Sequence, residues 1–90
     1  MHGFVRHRAT GHFWRHYGSL PPEVQRLADG AFHLLKTDMR HPSLQLKKVG
    51  RFWSARVGLH YRALSIEHGT DLVWFWIGPH NEYDRLISGR

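Results

Sequence analysis

The feature that most constrains the fold of this chain is a run of six apolar residues, Leu72-Val73-Trp74-Phe75-Trp76-Ile77. Successive side chains of a strand point to opposite faces, so a strand of this composition is apolar on both faces. Such strands lie at the centre of a sheet that is covered on both sides. The run is much shorter than the roughly 20 residues of a membrane-spanning helix, and Gly78-Pro79 ends it. The sequence therefore predicts a sheet with this run as a central strand.

Two helices are predicted ahead of this sheet. The longer one begins within Ser19–Glu23, where prolines are tolerated in the first turn and a carboxylate interacts favourably with the helix dipole. It ends around Thr37 to Met39, ahead of Arg40-His41-Pro42. Its apolar stripe recurs at intervals of three and four residues and comprises Val24, Leu27, Ala28, Ala31, Leu34 and Leu35. A shorter helix, capped by Thr10 and carrying Phe13, Trp14 and Tyr17, is expected to pack against the longer one as a hairpin.

The remaining stretches have the character of strands. Gly3 to Ala9 is predicted as an edge strand, and alternation begins again around Leu44. Phe52 to Gly58 and His60 to Ile66 are rich in aromatic and β-branched residues, and Asn81 to Ile87 is expected to form a short terminal helix. This order predicts one α+β domain over residues 1–90, with a helical hairpin on one face of a mainly antiparallel sheet of about four strands.

Charge indicates the kind of partner. Thirteen Lys and Arg against seven Asp and Glu give a net charge of +6, which favours polyanions or acidic proteins. A generally basic protein from a GC-rich genome would have the same balance, so charge alone does not identify the partner. The absence of cysteine fits a reducing compartment. The N-terminus lacks the apolar stretch of a signal peptide, and a cytoplasmic protein without membrane association is expected.

Six stretches occur in an order and spacing typical of one known group of small proteins: Leu20–Val24, His41–Leu44, Lys47–Val49, Trp53–Gly58, Tyr61–Leu64 and Trp74–Asp84. Together they resemble the RelE/ParE superfamily of bacterial type II toxin–antitoxin toxins. The resemblance implies a small RelE-like sandwich, a cognate acidic antitoxin, and contact with operator DNA only through the antitoxin complex. One branch of the superfamily cleaves mRNA on the ribosome, and the other poisons DNA gyrase without catalysis.

The nuclease branch implies candidate catalytic residues. Arg62 matches the strand arginine that is associated with the scissile phosphate, and His80 and Tyr83 follow the last strand where other members place Arg or His and Tyr. An imidazole with an ordinary pKa near 6.5 suits proton transfer, so His80 is the expected acid or base. The planar fork of Arg62 suits a phosphate clamp. Tyr83 is expected to stack on a base or to donate a proton. No metal or cofactor is required.

RNA-binding residues are expected on the neighbouring strands. Lys48 and Arg56 correspond to basic strand residues of the nuclease branch, and the Lys47-Lys48 pair is expected to meet either ribosomal RNA or an acidic antitoxin. For Lys48 and Arg56, an ordinary role as surface charges is the competing interpretation. His12 and His16 have the helical spacing of a metal pair, but without a third ligand they are interpreted as solvated side chains.

Several alternatives stay open. His80 also fits a helix cap, and Tyr83 also fits a residue that packs the tail onto the sheet. Glu82 and Asp84 put negative charge beside Tyr83, where they either oppose phosphate binding or supply a base. At the level of the whole protein, the ribosome-dependent mRNA endonuclease leads, with a gyrase poison and an inactive toxin-fold binding protein as the competing hypotheses.

Overall fold

A computed structural model describes residues 6–88, which form three α-helices, one 3-10 helix and five strands. The elements are, in chain order, β1 (Arg6–Ala9), α1 (Gly11–Gly18), α2 (Pro22–Thr37), a 3-10 helix (Pro42–Leu44), β2 (Lys47–Val49), β3 (Phe52–Val57), β4 (Tyr61–His68), β5 (Asp71–Pro79) and α3 (His80–Ser88). The predicted α+β class is confirmed. No helix of residues 6–88 is long and apolar enough to cross a membrane.

The five strands form one sheet in the order β1-β5-β4-β3-β2. The pairs from β2 to β5 are antiparallel, whereas β1 runs parallel to β5 from Arg6 opposite Asp71 to Ala9 opposite Trp74. The sheet thus has five strands rather than about four. The apolar run lies in β5, which has β1 on one side and β4 on the other, as predicted for a strand inside the sheet. Gly3 to Val5, the beginning of the predicted first strand, lie outside the described residues.

Both predicted helices lie on one face of the sheet. Thr10 caps α1, its Oγ1 accepting a hydrogen bond from the Phe13 backbone N–H at 3.2 Å, and α2 ends at Thr37 as the Arg40-His41-Pro42 break predicts. The side chain of Gln25 donates to the Tyr17 carbonyl at 3.0 Å, which ties the helices into a hairpin. Their buried residues join those of the sheet in one core: Phe13, Leu20, Val24, Ala28, Leu35, Leu44, Ala55, Val57, Ala63, Leu72, Trp74 and Ile77.

A bulge in β5 decides which face each tryptophan covers. Leu64 pairs with Trp76 and the next residue, Ser65, pairs with Trp74, so Phe75 is the extra residue. Strict alternation would place Trp74 and Trp76 on the same face. The bulge instead leaves Trp74 in the core beneath the helices and moves Trp76 to the opposite face, where it packs with Leu64 and Tyr83. The second face therefore has an apolar cluster of its own, covered by α3.

Candidate active site under α3

The register across three strands defines a second sheet face that carries cationic residues. Ala55 opposes Ala63, and Ala63 opposes Ile77, and all three belong to the core under α1 and α2. The residues next to them, Arg56 and Arg62, also oppose each other, and Arg62 opposes Gly78. Because neighbours along a strand point to opposite faces, Arg56 and Arg62 lie on the face that α3 covers. Two of the predicted site residues therefore share one face.

Arg62 is buried on this face, with 3% of its surface exposed. Its Nε donates to the Ser54 hydroxyl at 2.7 Å, and its Nη2 donates to the Gln45 carbonyl at 3.2 Å. Gln45 reaches this position in the left-handed region, at φ 42°, immediately after the 3-10 helix. Within residues 6–88 no carboxylate oxygen lies within 4.0 Å of the guanidinium. Arg62 is thus a buried cation held by neutral acceptors.

Burial has an electrostatic consequence for Arg62. Desolvation lowers the pKa of the guanidinium from its usual value, repulsion by Arg56 lowers it further, and Tyr83 and Asp84 act in the opposite direction. Arginine nevertheless stays charged in proteins. A charge in this low-dielectric position creates a stronger field than the same charge in water. The buried charge of Arg62 therefore makes the electrostatic potential at the candidate site more positive from the side of the sheet.

His80 and Asp84 form a hydrogen-bonded pair at the start of α3. The Nδ1 of His80 lies 3.2 Å from the Asp84 Oδ2, and about half of each side chain is exposed. An ionised carboxylate only accepts hydrogen bonds, so this contact requires a proton on Nδ1, and in a neutral ring the other nitrogen, Nε2, is then the acceptor. The backbone N–H of His80 donates to the His60 carbonyl at 2.8 Å, which anchors the start of the helix. The pair has the arrangement of a base and its orienting carboxylate.

Tyr83 connects the buried cation to the exposed histidine. Its ring centroid lies 5.2 Å from the Arg62 Cζ and 5.4 Å from the centroid of the His80 ring. The residue is 3% exposed and packs with Leu64 and Trp76. With Tyr83 in this position, neither its ring nor Arg62 is open to a ligand at the surface, whereas His80 is.

Glycine is required at position 78 by the same cluster. A Cβ on Gly78 would lie 2.5 Å from Cζ2 and 2.9 Å from Cη2 of Trp76. Ordinary carbon–carbon contacts are about 3.5–4.0 Å. The indole of Trp76 therefore packs directly against the backbone of Gly78. Gly78 is the cross-strand neighbour of Arg62 and lies two residues before His80.

The two lysines of the predicted basic patch lie on opposite faces. Lys47 opposes Ser54, the residue that binds Arg62, and so shares the face of the candidate site. Lys48 lies on the other face, where its Nζ is 2.8 Å from the Glu67 Oε2. Trp53 Nε1 donates to the same oxygen, and these hydrogen bonds lower the pKa of Glu67. The structure thus brings together Arg62, Tyr83 and His80, places Arg56 and Lys47 on the same face of the sheet, and puts Lys48 on the other face.

Ser54 and Gln45 complete the site beyond the residues singled out from the sequence, and Asp84, for which the sequence left open whether it opposes phosphate binding or supplies a base, is placed beside His80. Asp84 orients His80, and their spacing of four residues on a helix is a signal that the sequence contains. Ser54 and Gln45 hold Arg62, but they belong to a different strand and a turn, and nothing in the sequence links them to it. In residues 6–88 no group of three or more His, Asp or Glu side chains is placed to hold a metal ion.

Comparisons with known proteins agree with this architecture. A family model of the ParE-like toxin domain matches residues 22–85. The fold is similar to a RelB–RelE antitoxin–toxin complex from Methanococcus jannaschii, with a TM-score of 0.68 and 15% identity over 86% of this chain and 95% of that chain. It is also similar to the toxin–antitoxin complex RelBE2 from Mycobacterium tuberculosis, with a TM-score of 0.63 and 22% identity over 83% and 96% of the two chains.

A third similar structure is a copper-bound mutant toxin from Helicobacter pylori, with a TM-score of 0.58 and 15% identity over 87% of this chain and 97% of that chain. A search of curated proteins finds no match. At these identities the structural similarity concerns the fold, and the chemistry has to be argued from the side chains of this chain.

Proposed function

This chain belongs to the family of ParE-like toxin domains, and we propose that it is the toxin of a type II toxin–antitoxin pair that cleaves mRNA on the ribosome. The observation that carries the proposal is the half-exposed His80–Asp84 pair. It places an imidazole, hydrogen-bonded to a carboxylate, above a buried cation. Cleavage of RNA through its 2′-hydroxyl needs these two elements, a base and a positive charge near the phosphate.

The proposed reaction starts at His80. Nε2 takes the proton of a ribose 2′-hydroxyl, and the 2′-oxygen forms a bond to the adjacent phosphorus. The bond from phosphorus to the 5′-oxygen breaks, and that oxygen takes a proton from solvent, which reaches this exposed site. Asp84 stabilises the imidazolium that forms on His80. The step needs no metal or cofactor.

The remaining residues bind and orient. Arg56, half-buried, and Lys47, exposed, are two cations on this face that a phosphate backbone can approach. Arg62 lies under Tyr83 and acts on the phosphate through its charge rather than by contact. Tyr83 is a positioning residue that keeps His80 at a set distance from that charge.

An acidic antitoxin is the proposed partner of this toxin. Two of the similar structures are complexes of a toxin with its antitoxin, and a chain with a net charge of +6 is complementary to an acidic protein. The complex is expected to weaken as salt screens the opposite charges. A cytoplasmic location follows from a ribosomal target.

A gyrase poison is the second candidate function. It is favoured by the burial of Arg62 and Tyr83, each 3% exposed, because a nuclease with a phosphate clamp would be expected to expose its arginine. In a poison, His80 and Asp84 would be dispensable. The two functions therefore predict different results for substitutions of His80 and Asp84: loss of activity in a nuclease, and no loss of toxicity in a gyrase poison.

The test is primer-extension mapping of cellular mRNAs after brief induction in the presence of active ribosomes. We expect the wild type to cut translated regions and His80→Ala to lose about 10²–10⁴-fold in cleavage, the usual contribution of a general base. Asp84→Asn should lose activity in the same direction. Glu82→Gln is the matched control, since it removes a neighbouring exposed carboxylate that does not contact His80.

Two outcomes would contradict the nuclease, and a third would contradict the role of His80 in it. Intact mRNA together with growth arrest and inhibited gyrase supercoiling would establish the poison. Induction without any effect on growth would favour an inactive toxin-fold binding protein. Cleavage that survives His80→Ala would remove His80 from the mechanism.

A further inference from the structure

A small pocket lined by aromatic rings lies between α1 and α2. Phe13, Trp14 and Tyr17 of α1 and Phe32 of α2 form its walls, and Asp29 of α2 adds a carboxylate. This aromatic pocket encloses about 30 Å³, which is about the share of one water molecule in the liquid. It therefore holds one small chemical group, and it shares no residue with the candidate active site.

The rings of α1 stand at steep angles to one another. The centroid of the Trp14 ring lies 5.2 Å from that of Phe13 at an interplanar angle of 86°, and 5.3 Å from that of Tyr17 at 76°. Rings arranged in this way enclose a group from several sides, as in the aromatic cages that bind ammonium ions. Phe13 is buried, whereas Trp14 is 53% exposed. Core packing does not account for an indole that is half in solvent, and its exposure leaves the pocket open to a ligand.

Asp29 supplies negative charge at the aromatic pocket. Its Oδ1 accepts a hydrogen bond from the Tyr17 hydroxyl at 2.8 Å, which holds the carboxylate in place and raises the pKa of Tyr17. Among the side chains of residues 6–88, no Lys, Arg or His nitrogen lies within 4.0 Å of the Asp29 oxygens. A carboxylate can accept several hydrogen bonds, so Asp29 retains acceptor capacity for a donor in the pocket. In a chain with thirteen Lys and Arg, this carboxylate is left without a cationic partner beside four aromatic rings.

The ligand that these walls fit is a small cation that donates hydrogen bonds. A primary ammonium group has about the size of a water molecule and donates three hydrogen bonds. Lys36 shows the attraction of such a group to this hairpin, since its Nζ lies 4.9 Å from the centroid of the Phe32 ring, although Lys36 does not line the pocket. We propose that the aromatic pocket binds a primary alkylammonium group, with the rings as its walls and Asp29 as its counter-charge. Free amines and lysine side chains both carry this group.

The experiment is an NMR titration of the full chain, labelled with ¹⁵N, with n-butylammonium. The indole N–H signal of Trp14, identified by its loss in Trp14→Phe, should shift with a dissociation constant of about 1–10 mM. The matched ligand is 1-butanol, which has the same alkyl chain without the charge, and it should bind at least about tenfold more weakly. Tetramethylammonium should also bind more weakly, because it is larger and donates no hydrogen bond to Asp29.

Variants of the protein locate the binding site. Asp29→Asn keeps an oxygen that accepts the Tyr17 hydroxyl but removes the charge, and it should weaken binding of n-butylammonium about tenfold. Glu23→Gln is the matched control, because it makes the same change of charge at an exposed residue of α2 outside the pocket, and it should leave the affinity within about twofold. Trp14→Leu removes the exposed wall and should also weaken binding about tenfold, as followed by the backbone amide signal of Tyr17.

A second ligand distinguishes the two sources of the ammonium group. If lysine with its amino and carboxyl ends blocked as amides binds at least about threefold more tightly than n-butylammonium, the pocket also recognises peptide groups and a protein lysine is its ligand. Equal affinity of the two ligands would identify a free amine. Equal binding of n-butylammonium and 1-butanol, or the same affinity in Asp29→Asn as in Glu23→Gln, would overturn the proposal. None of these measurements involves RNA, so failure here is distinct from failure of the proposed function.

Discussion

The substitution Gly78→Ala tests whether the cluster beneath α3 is packed as described. The added methyl would lie 2.5 Å from Cζ2 of Trp76, about 1 Å closer than carbon atoms approach in ordinary contact. Trp76 is 7% exposed and packs against Leu64 and Tyr83, so its rigid ring has little room to move. Overpacking of this kind costs about 1–3 kcal/mol. The lower chain entropy of alanine in the unfolded state offsets about 0.4–1 kcal/mol, and a net loss of about 1–2 kcal/mol is expected.

Urea denaturation followed by circular dichroism measures this loss, and a double-mutant cycle with Trp76→Leu assigns it. Leucine lacks the two ring atoms that the methyl would meet, so Gly78→Ala should cost little in the Trp76→Leu background and the coupling should be about 1–2 kcal/mol. Gly30→Ala is the matched control, because nothing lies within 4 Å of its Cβ and the helix gains about 0.5–1 kcal/mol. If Gly78→Ala also stabilises the protein, or if the two substitutions are additive, the packing argument is refuted.

Two further expectations concern charge. Burial lowers the pKa of His7, and the Trp74 indole N–H donates to its Nδ1 at 3.1 Å, so the folded state holds a neutral imidazole. The stability that His7 contributes is complete above its unfolded pKa of about 6.5 and is lost as the pH falls below that value. Between pH 8 and pH 5 the melting temperature should therefore fall more steeply for the wild type than for His7→Gln. Equal slopes of melting temperature against pH would contradict this assignment. Lys47→Ala should weaken RNA binding and reduce the salt slope by about 1. Lys48→Ala should change neither the affinity nor the salt slope, because Lys48 is bound to Glu67 on the other face. Filter binding of a labelled RNA across a salt series measures both, and a larger effect of Lys48→Ala than of Lys47→Ala would contradict this prediction.

Local features of the sequence were sufficient for the elements and for the fold class. The stripe from Val24 to Leu35 and the prolines that bound it place α2, because helix periodicity and the restrictions of proline act within a few residues. The run at Leu72 identified a strand inside the sheet for the same reason. The spacing of His80 and Asp84 is also compatible with their contact, since residues four apart on a helix are neighbours.

Pairing between distant segments decided the rest. The parallel addition of β1 to β5, the bulge at Phe75 and the choice of which of Lys47 and Lys48 shares the face of the site depend on strand pairing and register, and a shift of one residue moves a side chain to the other face. Register is set by how strands and helices pack together, and no single stretch contains it. The burial of Arg62 is of this kind, because its ligands come from a different strand and a turn and its cover comes from α3. The sequence by itself thus determined the elements and the spacing of a histidine and a carboxylate on one helix, and only the tertiary structure placed these two residues above a buried positive charge.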